Sequence, residues 1–222
     1  MAMKADIGAP LCPWLFATDA EGANDTDNGG YGVVGSAPGE DLIKAVFCTS
    51  STPAKTVIKL DGNIKHLKHP EKEFAPSVPF IKILHEVFET QENPWLALEH
   101  GRWQTADHIT LGEGRGVLRL LKRLAAVENC HRCKVISLED NTPVAGSMSK
   151  GRSPAPALNF LLRKRCAHCV AAQLTVILPW SETAFMPADE LSRFKVPSGE
   201  AAGSSTASKG NRTHHQAVPR QR

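Results

Sequence analysis

The chain has 222 residues, of which 41% are apolar, enough for one well-packed domain plus extra segments. Its net charge of +3 excludes little by itself. No apolar stretch is long enough to span a bilayer, and Met1 to Asp6 lacks the apolar core of a signal peptide, so an intracellular, non-membrane protein is expected, cytoplasmic or nuclear. Six cysteines in a chain of this length do not form a secreted disulfide framework.

Residues 1–12 form a short lead-in. Residues 14–19, Trp-Leu-Phe-Ala-Thr-Asp, predict a short buried strand that ends on Asp19. Residues 21–30 are rich in Gly, Asn and Asp and predict a turn. Tyr31 to Ser36 then predicts a second strand, antiparallel to the first. Val57 to Leu60 is a third candidate strand. Residues 61–105 follow no steady period and are expected to be an irregular insertion, with one amphipathic helix candidate at 80–88.

A regular block begins at His108. Val117, Leu118, Leu120, Leu121, Leu124 and Val127 share one helical face, with Arg115, Arg119, Lys122 and Arg123 outside it. Glu113 opens this segment between Gly112, Gly114 and Gly116. Each glycine costs about 1 kcal/mol against Ala inside a helix, so a frayed start is expected. Val135 to Leu138 predicts a buried strand, followed at once by Asp140. A short helix over 142–149, a long helix over 156–172 and a strand over 174–180 come next. Pro187 is placed to begin a final helix that carries Asp189. After Val196 the composition turns to Gly, Ser, Thr, Ala and basic residues with no acid beyond Glu200, so 195–222 is expected to be a disordered basic tail.

Alternation of strand and helix in the second half implies parallel strands, and the opening hairpin implies antiparallel ones. A mixed five-stranded sheet with helices on both faces satisfies both. Asp19, Glu113, Asp140 and Asp189 lie on separate elements, and carboxylates gathered in this way bind hard divalent cations. From Asn141 to Ser181 there is no acid, while Lys150, Arg152, Arg163, Lys164 and Arg165 fall there. A basic surface beside an acidic metal site suits a polyanion, although a solvated helix face has the same composition. Trp180 and Phe160 could stack on sugars or bases, but large aromatics favour burial and both are expected in the core. Cys130-x-x-Cys133 and Cys166-x-x-Cys169 flank parallel neighbours. Four thiolates there would make a tetrahedral structural Zn²⁺ site; alternatively the second pair faces the core.

Four motifs occur in order: Phe16-Ala17-Thr18-Asp19-Ala20, His108 to Glu113, Asp140-Asn141 with Ser149-Lys150-Gly151-Arg152-Ser153, and Pro187-Ala188-Asp189-Glu190-Leu191-Ser192-Arg193. Together they resemble the ribonuclease H domain attached to retroelement reverse transcriptases, over residues 13–194 apart from the insertion. The resemblance implies an α/β ribonuclease H-like fold and a metal-dependent endonuclease that cleaves the RNA strand of RNA–DNA hybrids. It implies two Mg²⁺ ions, or Mn²⁺ in their place, held by Asp19, Glu113, Asp140 and Asp189. It makes Asn141, Lys150, Arg152, Arg163 and Lys164 the candidates for nucleic-acid contacts. The chain departs from the pattern at Glu21, at the lengthened turn 22–30 and at Met186, and 181–187 carries no loop histidine. It is expected to be a monomer or part of a larger polyprotein. The alternative is a decayed or repurposed domain of the same fold that binds nucleic acid or protein without cutting. A transposase or integrase core places its late acid beyond the fourth strand, where this chain has none.

Overall fold

The structure is a computed structural model that describes residues 8–50 and 94–194. Five strands, β1 (Leu11–Ala20), β2 (Gly30–Ser36), β3 (Leu96–Arg102), β4 (Lys134–Leu138) and β5 (Thr175–Ile177), form one sheet in the order β3-β2-β1-β4-β5. β1 pairs antiparallel with β2, and β2 with β3; β4 runs parallel to β1 and to β5. Helices α1 (Glu40–Ser50), α2 (Ile109–Ala125), α3 (Thr142–Lys150), α4 (Pro156–Ala172) and the single turn α5 (Asp189–Ser192) complete the chain. This is the mixed five-stranded sheet with helices on both faces that the motifs implied.

Side-chain alternation along β1 explains the two layers. Leu15 and Ala17 join Ile43 and Val46 of α1 and Ala188 beside α5 in one core. Phe16 and Cys12 face the other way, into a core with Val117, Leu120, Leu121 and Leu124 of α2 and Leu162 of α4. Each fully buried Leu or Phe contributes roughly 1.5–3 kcal/mol. Pro13 has no N–H for a ladder, and the β1–β4 register shifts between Leu11 and Leu15.

Several expectations need correction. The strand beside β2 is Leu96–Arg102, inside the stretch expected to be irregular; the candidates at 57–60 and 80–88 lie outside the described residues. Helix α1 was not anticipated, although Leu42, Ile43, Val46 and Phe47 form an apolar stripe behind an acidic first turn. The strand expected over 174–180 stops at Ile177. Pro179 has no N–H to continue the ladder, and Trp180 returns as an isolated bridge to Glu139. Pro187 precedes α5, which begins at Asp189 with Ala188 as its N-cap.

The start of α2 is not frayed. The helix runs unbroken from Ile109, His108 caps it by accepting from the Thr110 N–H, and Gly112, Gly114 and Gly116 are all buried. A Cβ on Gly112 would sit 3.3 Å from the Ala20 Cβ, and one on Gly114 would sit 3.0 Å from Leu161. The glycines let α2 lie close against β1 on one side and α4 on the other, which offsets their low helix propensity.

Candidate metal centre

Strand register brings the first two carboxylates together. Ala17 pairs with Leu138 across the parallel β1–β4 ladder, so two residues further on each strand places Asp19 beside Asp140. Helix α2 adds the third. Its close approach over Ala20 sets Glu113 at the same end of the sheet. One carboxylate oxygen from each of Asp19, Glu113 and Asp140 lies within 4.8 Å of the other two. Among the described residues, no other group of three metal-ligating side chains comes this close.

The surrounding bonds hold this arrangement. Ser192 Oγ donates to Asp19 Oδ2 at 2.5 Å, and Thr183 Oγ1 donates to Asp140 Oδ2 at 2.8 Å. Trp180 Nε1 donates to the Asp140 carbonyl at 2.7 Å and fixes the chain just past β4. Gly32, the β2 partner of Asp19, makes room for α5. A Cβ there would stand 2.8 Å from the Ala188 carbonyl oxygen and 2.9 Å from the Ser192 nitrogen.

Electrostatically the pocket is strained toward neutrality. Burial pushes the Asp19 carboxyl up to about 6, helped by the charges of Asp140 and Asp189. Burial, with Glu139, Asp19 and Asp140 nearby, pushes Glu113 up to about 11. Asp140 is raised as well, first by burial. Glu113 Oε2 is buried with no hydrogen-bond partner. Three carboxylates this close, one of them with a buried oxygen that has no partner, make a donor set that suits a hard divalent cation, and the residues present fit one.

Asp189 lies outside the trio. Its charge reaches Asp19 and Asp140, but its Oδ1 pairs with Arg193 at 2.6 Å. Asn141 spends its side-chain oxygen on the N-cap of α3, accepting from the Val144 N–H at 3.2 Å. Lys150 and Arg152 are exposed at the end of α3 and just beyond it, and Arg163 and Lys164 are exposed on α4. Trp180 is half-buried, whereas Phe160, expected in the core, is 55% exposed.

Among the described residues, the four cysteines weighed as a zinc site do not converge into a metal group. Pairing of Leu11 with Lys134 delivers Cys12, not the second Cys pair, beside Cys130 and Cys133. The Cys12 thiol donates to the Cys133 sulfur, and the Cys133 thiol donates to the Cys130 carbonyl. Cys166 is exposed on α4.

Sequence reasoning missed Glu139, which is fully buried. Its Oε1 accepts from the Asn141 N–H at 3.2 Å and its Oε2 accepts from Thr18 Oγ1 at 3.4 Å. Burial, then the Asp140 charge, raises it well above the ordinary carboxylate range. Its only sequence signal was its place between an apolar strand and Asp140. Ser192 was also missed as a partner of Asp19, though it lies within the last motif.

No family model matches the chain, and no curated protein matches it. Among solved structures it is similar to the N-terminal RNase H domain of Rv2228c from Mycobacterium tuberculosis, solved as a fusion with maltose-binding protein. Identity is 17%, the TM-score is 0.41, and the match covers 82% of this chain and 91% of that one.

Proposed function

We propose that this chain is a divalent-metal-dependent endonuclease of the ribonuclease H type that cuts the RNA strand of RNA–DNA hybrids. The supporting observation is the convergence of Asp19, Glu113 and Asp140, with one Glu113 oxygen buried and unpartnered. These three would hold the cation, Mg²⁺ or Mn²⁺, and Asp189, whose charge reaches Asp19 and Asp140, would serve a second ion on leaving Arg193. A cation bound there supplies Lewis acidity to the scissile phosphate and lowers the pKa of an attacking water. Ser192 and Thr183 orient Asp19 and Asp140 by donating to one oxygen of each, which leaves the other oxygen free to ligate. Lys150, Arg152, Arg163 and Lys164 would meet backbone phosphates, which positions a duplex without reading its sequence. The motif from Pro187 to Arg193 and the stretch from Lys150 to Ser153 support an origin in a retroelement polyprotein.

The test is cleavage of a labelled RNA–DNA hybrid by the full chain with Mg²⁺ or Mn²⁺. Cutting confined to the RNA strand is expected. Asp19→Asn, Glu113→Gln and Asp140→Asn should each lower the rate at least 100-fold, on the order of 3 kcal/mol or more of transition-state stabilisation. A second reading, a domain of this fold that binds without cutting, is favoured by the engagement of Asp189 with Arg193. Absence of cutting by the parent chain with both metals selects it.

A further inference from the structure

The outer faces of α2 and α4 form a groove that the metal centre does not use. Its volume is about 910 Å³. Two helical stripes line it, with Arg115, Arg119 and Lys122 from α2 and Phe160, Lys164 and His168 from α4. Leu118 and Leu161 form part of its floor, and Trp103 closes one end. The spacings of four, three and one residues are those of one face of a helix, so the stripes are continuous along both walls.

Charge in this groove is mostly positive, with Asp107 the one acid that lines it. Helix α4 contains no acid, and the only acid in α2 is Glu113, which is buried. Arg115 pairs with Asp107 at 2.5 Å and lies over the Trp103 ring; Arg119 lies 3.4 Å from Glu99 and over the Tyr31 ring. Lys122 and Lys164 pair with no carboxylate among the described residues. Phe160 is 55% exposed, and the Lys164 ammonium stands 4.5 Å from its ring centroid. A large aromatic ring held at the surface beside cations, over an apolar floor, is the pattern of a base-stacking platform in a phosphate-tracking groove. A duplex keeps its base faces inside the stack, so only unpaired nucleotides can offer one to Phe160.

We infer that the α2–α4 groove binds single-stranded nucleic acid, with Phe160 stacking on a base and Lys122 and Lys164 meeting the flanking phosphates. On the nuclease reading, which this inference extends, the groove takes the unpaired overhang of a substrate whose duplex lies at the metal centre. Leu111 to Lys122 spans about 16 Å of helix, room for a few nucleotides.

The experiment is fluorescence anisotropy of the full chain with a labelled oligothymidylate in EDTA, so that metal binding plays no part. Lys122→Glu combined with Lys164→Glu should weaken binding at least 10-fold and flatten its salt dependence. Phe160→Ala should weaken it about 5-fold or more with less change in salt dependence. Lys44→Glu, on α1, should bind within 2-fold of the parent. All four substituted positions are exposed, and circular dichroism checks that each variant folds. Groove variants that bind as tightly as the parent, or a parent that does not bind, would overturn the inference. Hybrid cleavage by the same proteins separates the two readings. An inert parent whose single-strand affinity depends on the groove sinks the nuclease and keeps the groove. A cutting parent with unaffected groove variants does the reverse.

Discussion

Glu139 ties the two central strands together at the end where Asp19, Glu113 and Asp140 gather. It joins Thr18 of β1 to the backbone of Asn141, and it does so fully buried and with its charged form strongly disfavoured. A protonated carboxyl, like a side-chain amide, can accept from the Asn141 N–H on one side and donate on the other to the Thr18 hydroxyl, which turns to accept. Glu139→Gln should therefore change stability by less than about 1 kcal/mol in urea denaturation. Glu139→Ala leaves the Thr18 hydroxyl and the Asn141 N–H without partners beside a void, and should cost about 2–4 kcal/mol. Equal losses in the two variants would refute this account. The thiols separate in the same way by environment. In the native protein a thiol reagent should label Cys48 and Cys166 quickly, and Cys12, Cys130 and Cys133 only on unfolding. Fast labelling of the last three would contradict their burial.

At the scale of elements, the approach of α5 to β2 depends on Gly32. Gly32→Ala would push its new methyl against backbone atoms that have no rotamer with which to retreat. Overpacking of this kind costs about 1–3 kcal/mol, and α5 should move away from Asp19 and break the Ser192 bond. A crystal structure of the variant with that bond intact would refute this. The glycine was visible in the sequence, but its neighbour was not, because α5 lies far along the chain. The same distinction explains what could be read beforehand. Helix α2 repeats its apolar residues along one face, and Pro143, Gly151 and Pro156 punctuate α3 and α4, so their limits were legible in the sequence to within a few residues, α2 least closely at its start. Strand β3 has only Leu98 well buried and alternates weakly, because it lies at the sheet edge and spends half its surface on solvent. Phe160 looked like core because burial is the usual fate of its residue type; only the placement of α4 leaves it outside.

For the molecule as a whole, the acidic cluster opposes folding in the absence of metal. The Asp19 carboxyl lies near 3.8 when unperturbed and near 6 in the folded protein, so between those values the folded state holds a proton that the unfolded chain has released. Its contribution to stability is fully present below about pH 4 and is lost as pH rises through about 6. With a chelator present, the melting temperature should fall across this window, and the fall should be smaller in Asp19→Asn. Adding Mg²⁺ or Mn²⁺ should raise the melting temperature, more at pH 7 than at pH 5, because the cation binds the ionised carboxylates. A metal effect independent of pH would show that the cluster is not the site. The cluster was legible as four acids on four elements, yet the separation of Asp189 from the other three was not, since Arg193 captures it one helical turn later. Ser192 reaches Asp19 across 173 residues of sequence. On the ribosome, the latch over the first aspartate thus emerges only after Asp19, Glu113 and Asp140 have all been made. A nascent chain released just short of it would already carry Asp19, Glu113 and Asp140, yet Asp19 would meet bulk water, and any premature chemistry there would lack its final clasp.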